Sequence, residues 1–369
     1  MDESYRLSDP SDIISPALIC YPEKIRRNIA RMTEMAGGSA RLWPHVKTYK
    51  CAEVVRMLME AGIRFFKCAT IAEAEMCAVC GAERVALAYP LVGPNIRRFV
   101  SLCAAFPGTD FFAIGDDEGQ LALLAEAAEA AGITVQYLID IDTGLHRTGV
   151  VPERAPALAE ALKERMGLRL RGFHVYDGQH HEASAEIRRR AVTAESGKVA
   201  AAREILRERG FDMDIVLAGG TPTFPYHLQS DCFLSPGTCV IQDAGYGSTY
   251  ADLPFEPAAA VLTRVVSHPG EGLFTLDLGC KAVASDPPLP RAVVLGYEDC
   301  ETVMHNEEHL VLRLPKGEED RRPAIGEALY ALPWHICPTT LLYPEILAVE
   351  AGRVVGHWPV TARDRKLTI

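Results

Sequence analysis

The residues best suited to covalent or ionic chemistry fall in a few short stretches. In RLWPHVKTYK, Arg41 to Lys50, Lys47 lies just past an apolar run and straight after Pro-His-Val. A lysine is ordinarily a solvated charge on an apolar stem. Once desolvated, its pKa falls and it can attack a carbonyl to form a Schiff base. IDTGLHRTGV carries Asp142, His146 and Arg147, and YDGQHH opens on Tyr176. Two turns, AGGTPT with Gly220 and Thr221 and SPGT with Gly237 and Thr238, could cradle an anion. Glycine lets backbone N–H groups approach closely, and threonine hydroxyls add donors. His335 and Cys337 make an H-x-C. On a strand, residues two apart share a face, and imidazole with thiolate suits Zn2+ better than Mg2+ or Ca2+. Taken alone, such a pair is most often an accident of packing. In HNEEH the spacing of His305 and His309 suggests a metal, but the segment reads as a turn before a strand, and His309 stays a candidate for the rim only. Cys77 and Cys80 form a C-x-x-C inside a helical stretch without a second pair, and read as apolar core.

Such groups act together only if the fold gathers them, and hydrophobic period suggests how. Apolar strands are expected at Arg41–Val46, Phe65–Ala69, Arg84–Tyr89, Asp110–Ile114, Val135–Asp140, Gly172–Tyr176, Ile215–Ala218 and Thr238–Gln242. Between them lie amphipathic helical stretches such as CAEVVRMLMEAG, PNIRRFVSLCAAF, DDEGQLALLAEAAEAAG and PERAPALAEALKERMG, several ending in the Gly that commonly follows a helix. Eight strands alternating with helices predict an α/β fold, a closed (β/α)8 barrel of the TIM type. A doubly wound open sheet is the alternative, but it usually carries a G-x-G-x-x-G turn, and this chain has none. Beyond about Gly247, short runs such as LFTLDLG, HLVLRL and ALYALPWHICP between turn residues predict a C-terminal antiparallel β domain. The expected division is a barrel over 18–247 and a β-rich domain over 248–369, with 1–17, carrying the H-x-C pair.

In a barrel, chemistry collects where strands end. Lys47 follows the first expected strand, Thr70 the second, Arg147 the fifth, Tyr176 the sixth, and Gly220 with Thr221 the seventh, while SPGT opens the eighth. A phosphate at strands 7 and 8 is a common barrel arrangement. With a lysine across the mouth it describes a pyridoxal phosphate site, since the aldehyde of that cofactor requires an amine.

The bulk numbers agree with a small-molecule enzyme. The 369 residues are 48% hydrophobic, enough for one large domain or two medium ones. A net charge of -11 and a pI near 5.5 argue against nucleic acid or an anionic membrane as partner. The eleven cysteines are scattered and odd in number, and the acidic start MDESYRLSDPSD does not read as a signal peptide, so a reducing, cytoplasmic setting is expected.

PHVKTYK is similar to the PHVKTHK segment of the D-threonine aldolase and D-serine dehydratase family, alanine-racemase-like (fold type III) pyridoxal phosphate enzymes. KCATIAEAE, LAYPLVGP, DTGLHRTGV, AGGTPTFP, SPGTCVIQDAGY, LDLGCKAVASD, EEHLVL and WHICPT resemble the same family, and the likeness runs from Ser15 to about Arg365. It implies Lys47 as the Schiff-base residue with Lys50 as neighbour, Arg147 near the cofactor's phenolic oxygen and Tyr176 beside the cofactor. It also implies Gly220, Thr221, Gly237 and Thr238 at the phosphate, and His335 and Cys337 on a divalent metal, Zn2+ or Mn2+. Two departures are visible: Tyr49 replaces a histidine, and Gln179 stands where histidine is frequent. The implied substrate is a D-β-hydroxy amino acid. Retro-aldol cleavage, as of D-threonine to glycine and acetaldehyde, is the first expectation, from the wording of WHICPT, AGGTPTFP and SPGTC. A cysteine ligand instead resembles zinc dehydratases, which convert D-serine to pyruvate and ammonia. A non-catalytic pyridoxal phosphate carrier would lack the β domain, and a metal-free racemase would ignore chelators. Relatives pair head to tail, so a homodimer is expected.

Overall fold

The computed structural model describes residues 3–369. They form two compact units that interleave along the chain. A β-rich unit takes residues up to Arg31, Thr48–Cys51 and Thr238–Arg363, and a barrel unit takes Met32–Lys47, Ala52–Gly237 and Asp364–Ile369. The division expected from sequence, a barrel over 18–247 and a β-rich domain over 248–369 with 1–17, is simpler than this interleaving. The strand β1 (Ala17–Cys20), which the sequence period did not suggest, belongs to the β-rich unit, and the helix α1 (Pro22–Met35) follows it.

In the barrel unit seven parallel strands pair in chain order: β2 (Phe65–Cys68), β3 (Arg84–Leu87), β4 (Asp110–Gly115), β5 (Val135–Ile141), β6 (Leu168–Val175), β7 (Ile215–Ala218) and β8 (Phe233–Leu234). The segment from Arg41 to His45 closes the ring, since Leu42 bridges Leu234 and His45 bridges Lys67, both in parallel sense. Trp43 N donates to Leu234 O at 2.8 Å and Lys67 N to Pro44 O at 3.0 Å. The helices of this unit are α2 (Ala52–Glu60), α3 (Ile71–Val79), α4 (Pro94–Ala105), α5 (Glu118–Ala130), α6 (Ala155–Ala161) and α7 (Ala185–Glu208). The expected barrel is therefore the observed one.

One strand is displaced from its expected place. The eighth is Phe233–Leu234, whereas Thr238–Val240, expected to begin it, is a 3-10 turn. The run TCVIQ has the composition of a strand, but Pro236 has no N–H to give to a ladder. Pairing stops there, with Ser235 N on Ala218 O and His45 N on Pro236 O. Gly237 thus follows a strand end, like the other barrel candidates.

Inside the ring, the two-residue period of strands builds layers. Trp43 packs against Phe65, Phe112 and Phe233 with centroids 5.3, 5.5 and 5.8 Å apart, and Ile114, Leu138, Ile215 and Leu217 complete the cluster. Two residues further along the same segments stand His45 after Trp43, Lys67 after Phe65 and Asp140 after Leu138, all buried. A polar layer therefore rests on an apolar one.

The β-rich unit is a nine-stranded sheet. To β1 it adds β9 (Ala259–Ser267), β10 (Leu273–Leu276), β11 (Ala292–Val294), β12 (Glu301–His305), β13 (Leu310–Arg313), β14 (Ala328–Pro333), β15 (Glu345–Glu350) and β16 (Arg353–Pro359). Its pairings are antiparallel except that of β1 with β15. Ile19, Tyr21, Ala260, Leu262, Tyr330 and Leu347 form its core. Two short helices, α8 (Ala244–Thr249) and α9 (Ile336–Thr340), complete the unit. Among the described residues no helix is long and apolar enough to cross a membrane.

Candidate active site

Lys47, Arg147 and Tyr176 line one cavity of the barrel unit, about 520 Å³ in volume. Lys47 lies in a 3-10 turn directly after the ring-closing segment, and its N–H donates to His45 Nδ1 at 3.3 Å. Arg147 hangs from a loop folded by Asp142, whose Oδ1 accepts from Gly144 N at 2.9 Å and His146 N at 3.0 Å. His146 adopts a left-handed backbone there, φ 54°. Tyr176 stands just past β6 with its ring over two glycines. A Cβ at Gly178 would lie 2.4 Å from the ring, and one at Gly220 3.2 Å. Arg147 Cζ, Lys67 Nζ and Lys47 Nζ lie 4.8, 5.5 and 6.0 Å from the centroid of that ring. Among the described residues none of these three cations has an ion-pair partner.

Lys67 was not a candidate from sequence, nor were Asp140 and His174. Burial, with Lys47 as a like charge, brings the Lys67 amine down to about 7. Asp140 and His174 are register partners on β5 and β6. His174 Nδ1 meets Asp140 Oδ1 at 2.7 Å, and Thr148 Oγ1 donates to Asp140 Oδ2 at 2.7 Å. Burial works to raise the Asp140 carboxyl, but His174 and Thr148 hold it below its ordinary value. Burial lowers His174, helped by Lys67 and Arg147 against the pull of Asp140. His174 lines the cavity, and its buried Nε2 has no partner. A signal was available for all three: each is a titratable residue in the inward phase of an apolar strand, in FFKC, YLID and GFHV.

The AGGTPT turn is braced from behind. Gly220 N donates to Thr223 Oγ1 at 3.0 Å, Thr223 Oγ1 donates to Asp177 Oδ1 at 2.8 Å, and Asp177 Oδ2 meets His227 Nε2 at 2.8 Å. Burial opposes charge on His227, yet Asp177 and Cys232 raise it to about 9. The second turn is tied to the first, with Gly237 N donating to Thr221 Oγ1 at 3.2 Å. A Cβ at Gly237 would meet His45 Cβ and O at 2.9 Å. Two amides expected at a phosphate are thus engaged within the turns. Thr70 is the N-cap of α3, its hydroxyl accepting from Glu73 N at 3.2 Å. Gln179 donates to Thr143 Oγ1 at 3.0 Å.

Thr238, His335 and Cys337 fall in the β-rich unit and come together there. The strand expected to carry the H-x-C is absent: β14 ends at Pro333, His335 caps α9, and Cys337 lies within it. The buried Asp243 fixes this turn, accepting from Ile336 N at 3.0 Å and, as the cap of α8, from Tyr246 N at 2.8 Å. Burial pushes its carboxyl up to about 6. Cys337 Sγ lies 3.2 Å from Thr48 Oγ1 and 3.8 Å from Thr238 Oγ1. His335 Nδ1 meets Asp286 Oδ2 at 2.5 Å. Burial lowers His335, but Cys337 and Asp286 raise it to about 9. Among the described residues no three His, Cys, Asp or Glu side chains gather closely enough to hold a metal. Tyr49, the residue at the first departure, is fully buried.

The alanine racemase N-terminal domain family matches residues 21–242. The chain belongs to that family. A second match, to a putative serine dehydratase domain, covers residues 258–349 of this alanine-racemase-like chain. It is similar to the D-threonine aldolase of Arthrobacter sp, 27% identical over 95% of this chain and 92% of that one. It is equally similar to the D-threo-3-hydroxyaspartate dehydratase of Delftia sp. (strain HT23), 27% identical over 93% of this chain and 96% of that one. The crystal structure of D-threonine aldolase from Filomicrobium marinum matches with a TM-score of 0.88 at 28% identity, over 96% of each chain. The family and the fold expected from the motifs are those observed.

Proposed function

We propose that this chain is a pyridoxal phosphate- and divalent-metal-dependent lyase that cleaves D-β-hydroxy amino acids by a retro-aldol reaction, in the manner of D-threonine to glycine and acetaldehyde. One observation carries the reading: Lys47, Lys67 and Arg147 surround Tyr176 in one cavity of about 520 Å³ without a carboxylate partner. Of the three, Lys67 is buried while Lys47 is half-buried and Arg147 exposed, and a buried amine without a counter-ion is costly to charge until an anion answers it. A ligand with a phosphate, a phenolic oxygen and an aldehyde answers it well.

The residues fit such a ligand. Lys47 would offer the amine, Arg147 donors for the phenolic oxygen and Tyr176 a ring face. The phosphate would fall to the turns of Gly220, Thr221 and Gly237, whose Gly220 and Gly237 amides bond within the turns and would have to be released to it. When bound, pyridoxal phosphate supplies an electron sink next to the substrate's Cα, and a divalent cation supplies Lewis acidity for the β-hydroxyl. At neutral pH the Lys67 Nζ can hold or release a proton, because its pKa is about 7. His335 and Cys337 would hold Zn2+ or Mn2+. The bond of His335 Nδ1 to Asp286 leaves Nε2 for the ion, as is usual for metal-bound histidine. Two protein ligands leave positions for water or substrate.

A second reading, β-elimination from a D-serine-like substrate, draws support from the thiolate donor Cys337 and from the dehydratase-domain match over 258–349. The two are separated by incubating the protein with pyridoxal phosphate, Zn2+ or Mn2+, and D-threonine or D-serine. Acetaldehyde from D-threonine is expected. Pyruvate from D-serine without acetaldehyde would replace the first reading by the second. Borohydride reduction and peptide mass analysis should place the cofactor on Lys47, and a label that survives Lys47→Ala would overturn that anchor. A cytoplasmic homodimer completes the reading, and sedimentation checks the dimer.

A further inference from the structure

The floor of the barrel cavity holds a group that the proposed function does not use. His174 is 3% exposed and lines the cavity, and among the described residues its buried Nε2 has no hydrogen-bond partner. A buried ring nitrogen left unpaired carries the cost of its desolvation. It is therefore suited to a ligand group that completes it.

The type of that group follows from the proton count. Asp140 is ionised and takes Thr148 Oγ1 on Oδ2, so its Oδ1, 2.7 Å from His174 Nδ1, is an acceptor. The proton of a neutral imidazole then sits on Nδ1, and Nε2 presents a lone pair. Lys67 and Arg147, which with Asp140 are the charged groups facing this ring, disfavour a second proton. Nε2 can pair only with a donor.

Resting on the pyridoxal phosphate reading, the possibilities reduce to one. The phosphate and the phenolic oxygen of that cofactor are anionic acceptors, drawn to cations, and the aldehyde is consumed by the lysine amine. The hydrogen on a protonated ring nitrogen is the donor that remains. We propose that His174 Nε2, oriented by Asp140, accepts the hydrogen bond of the cofactor's protonated ring nitrogen. Asp140 acts as a positioning residue, holding the tautomer. An acceptor at that nitrogen keeps its proton in place, which deepens the electron sink the reaction requires.

Binding to the protein without its cofactor tests this apart from catalysis. The probes are pyridoxine 5'-phosphate, which cannot react with lysine, and its carbocyclic analogue with C–H in place of the ring nitrogen. His174→Phe should weaken the first by roughly 10- to 100-fold, the range of one hydrogen bond to a charged group, and leave the second unchanged. His174→Gln, whose amide oxygen also accepts, should restore part of the loss. In histidine-edited 15N spectra of the unaltered protein, the His174 Nε2 resonance should shift with the first probe and not with the second, which covers a His174→Phe chain that fails to fold. Equal weakening of both probes, or no weakening of either, overturns the inference while leaving the cofactor reading intact. Failure of the unaltered protein to bind pyridoxal phosphate or pyridoxine 5'-phosphate overturns both.

Discussion

Two carboxylate–imidazole pairs are buried around the end of β6 with nearly the same geometry. Asp140 meets His174 at 2.7 Å and Asp177 meets His227 at 2.8 Å. They differ in the charge of the imidazole. His174 is held below its ordinary pKa, while His227 rises to about 9. Burial disfavours the imidazolium in both, so the remaining company decides: the cations Lys67 and Arg147 beside His174, the Cys232 sulfur as a further partner of His227. A short His–Asp distance alone therefore says nothing about protonation. The pair with the neutral imidazole leaves a buried nitrogen without a hydrogen bond among the described residues, whereas the pair with the imidazolium uses its bonds to brace the turn at Gly220.

Removing one carboxylate at a time should expose that difference. Asp177→Ala strands a buried imidazolium and frees Thr223, a loss of about 3–5 kcal/mol, read as a large fall in the denaturation midpoint. Asp140→Ala leaves a histidine already neutral and should lose about 1–3 kcal/mol, the range for stranded hydrogen-bond partners. An Asp140→Ala chain as unstable as Asp177→Ala would mean that the two pairs do the same work.

The pH dependence should separate them by sign. The folded pKa of His227, about 9, lies above its ordinary 6.5. Its contribution is complete below about pH 6.5 and is lost as pH rises through 9, roughly 3 kcal/mol in all by linkage. His174 has a lowered folded pKa. The unfolded chain then takes up its proton first, so stability is complete above about 6.5 and falls as the solution is made more acidic. Denaturant midpoints across pH should lose their alkaline slope in His227→Gln and part of their acid slope in His174→Gln. The same slope lost in both variants would erase the contrast.

A third change acts on packing alone. Gly237→Ala puts a methyl 2.9 Å from His45 Cβ and backbone oxygen, and should lose about 1–3 kcal/mol by overpacking. Because no charge is altered, the loss should be constant with pH, measured by the same midpoints. A pH-dependent loss would mean that the turn is coupled to His227.

What could be read in the chain was local. Strand and helix periods and the residues after strand ends led to Lys47, Arg147 and Tyr176, which do share a cavity. The eighth strand was misplaced because TCVIQ has strand composition but follows a proline that ends the ladder at Ser235. The strand alternation assumed for His335 and Cys337 gave way to a helix cap fixed by Asp243, some ninety residues earlier, a tie no local pattern shows. Lys67, Asp140 and His174 were overlooked because each sits inside an apolar strand rather than after one. Their partners come from other strands or loops, so only the closed ring gives them meaning.

The smallest expected effect supplies the baseline for the others. Thr70 stands at a strand end, as a rim residue should, but its hydroxyl serves the first turn of α3 by accepting from Glu73 N. Loss of an N-cap by substitution to Ala costs about 1 kcal/mol. Thr70→Ala should therefore lower the denaturation midpoint slightly at every pH, with Thr70→Ser close to the unaltered protein. Binding of pyridoxine 5'-phosphate separates capping from a rim role: affinity unchanged in Thr70→Ala makes the residue a cap and nothing more. An affinity loss restored by Thr70→Ser would show the hydroxyl reaching the ligand as well, because serine keeps the oxygen that both tasks need.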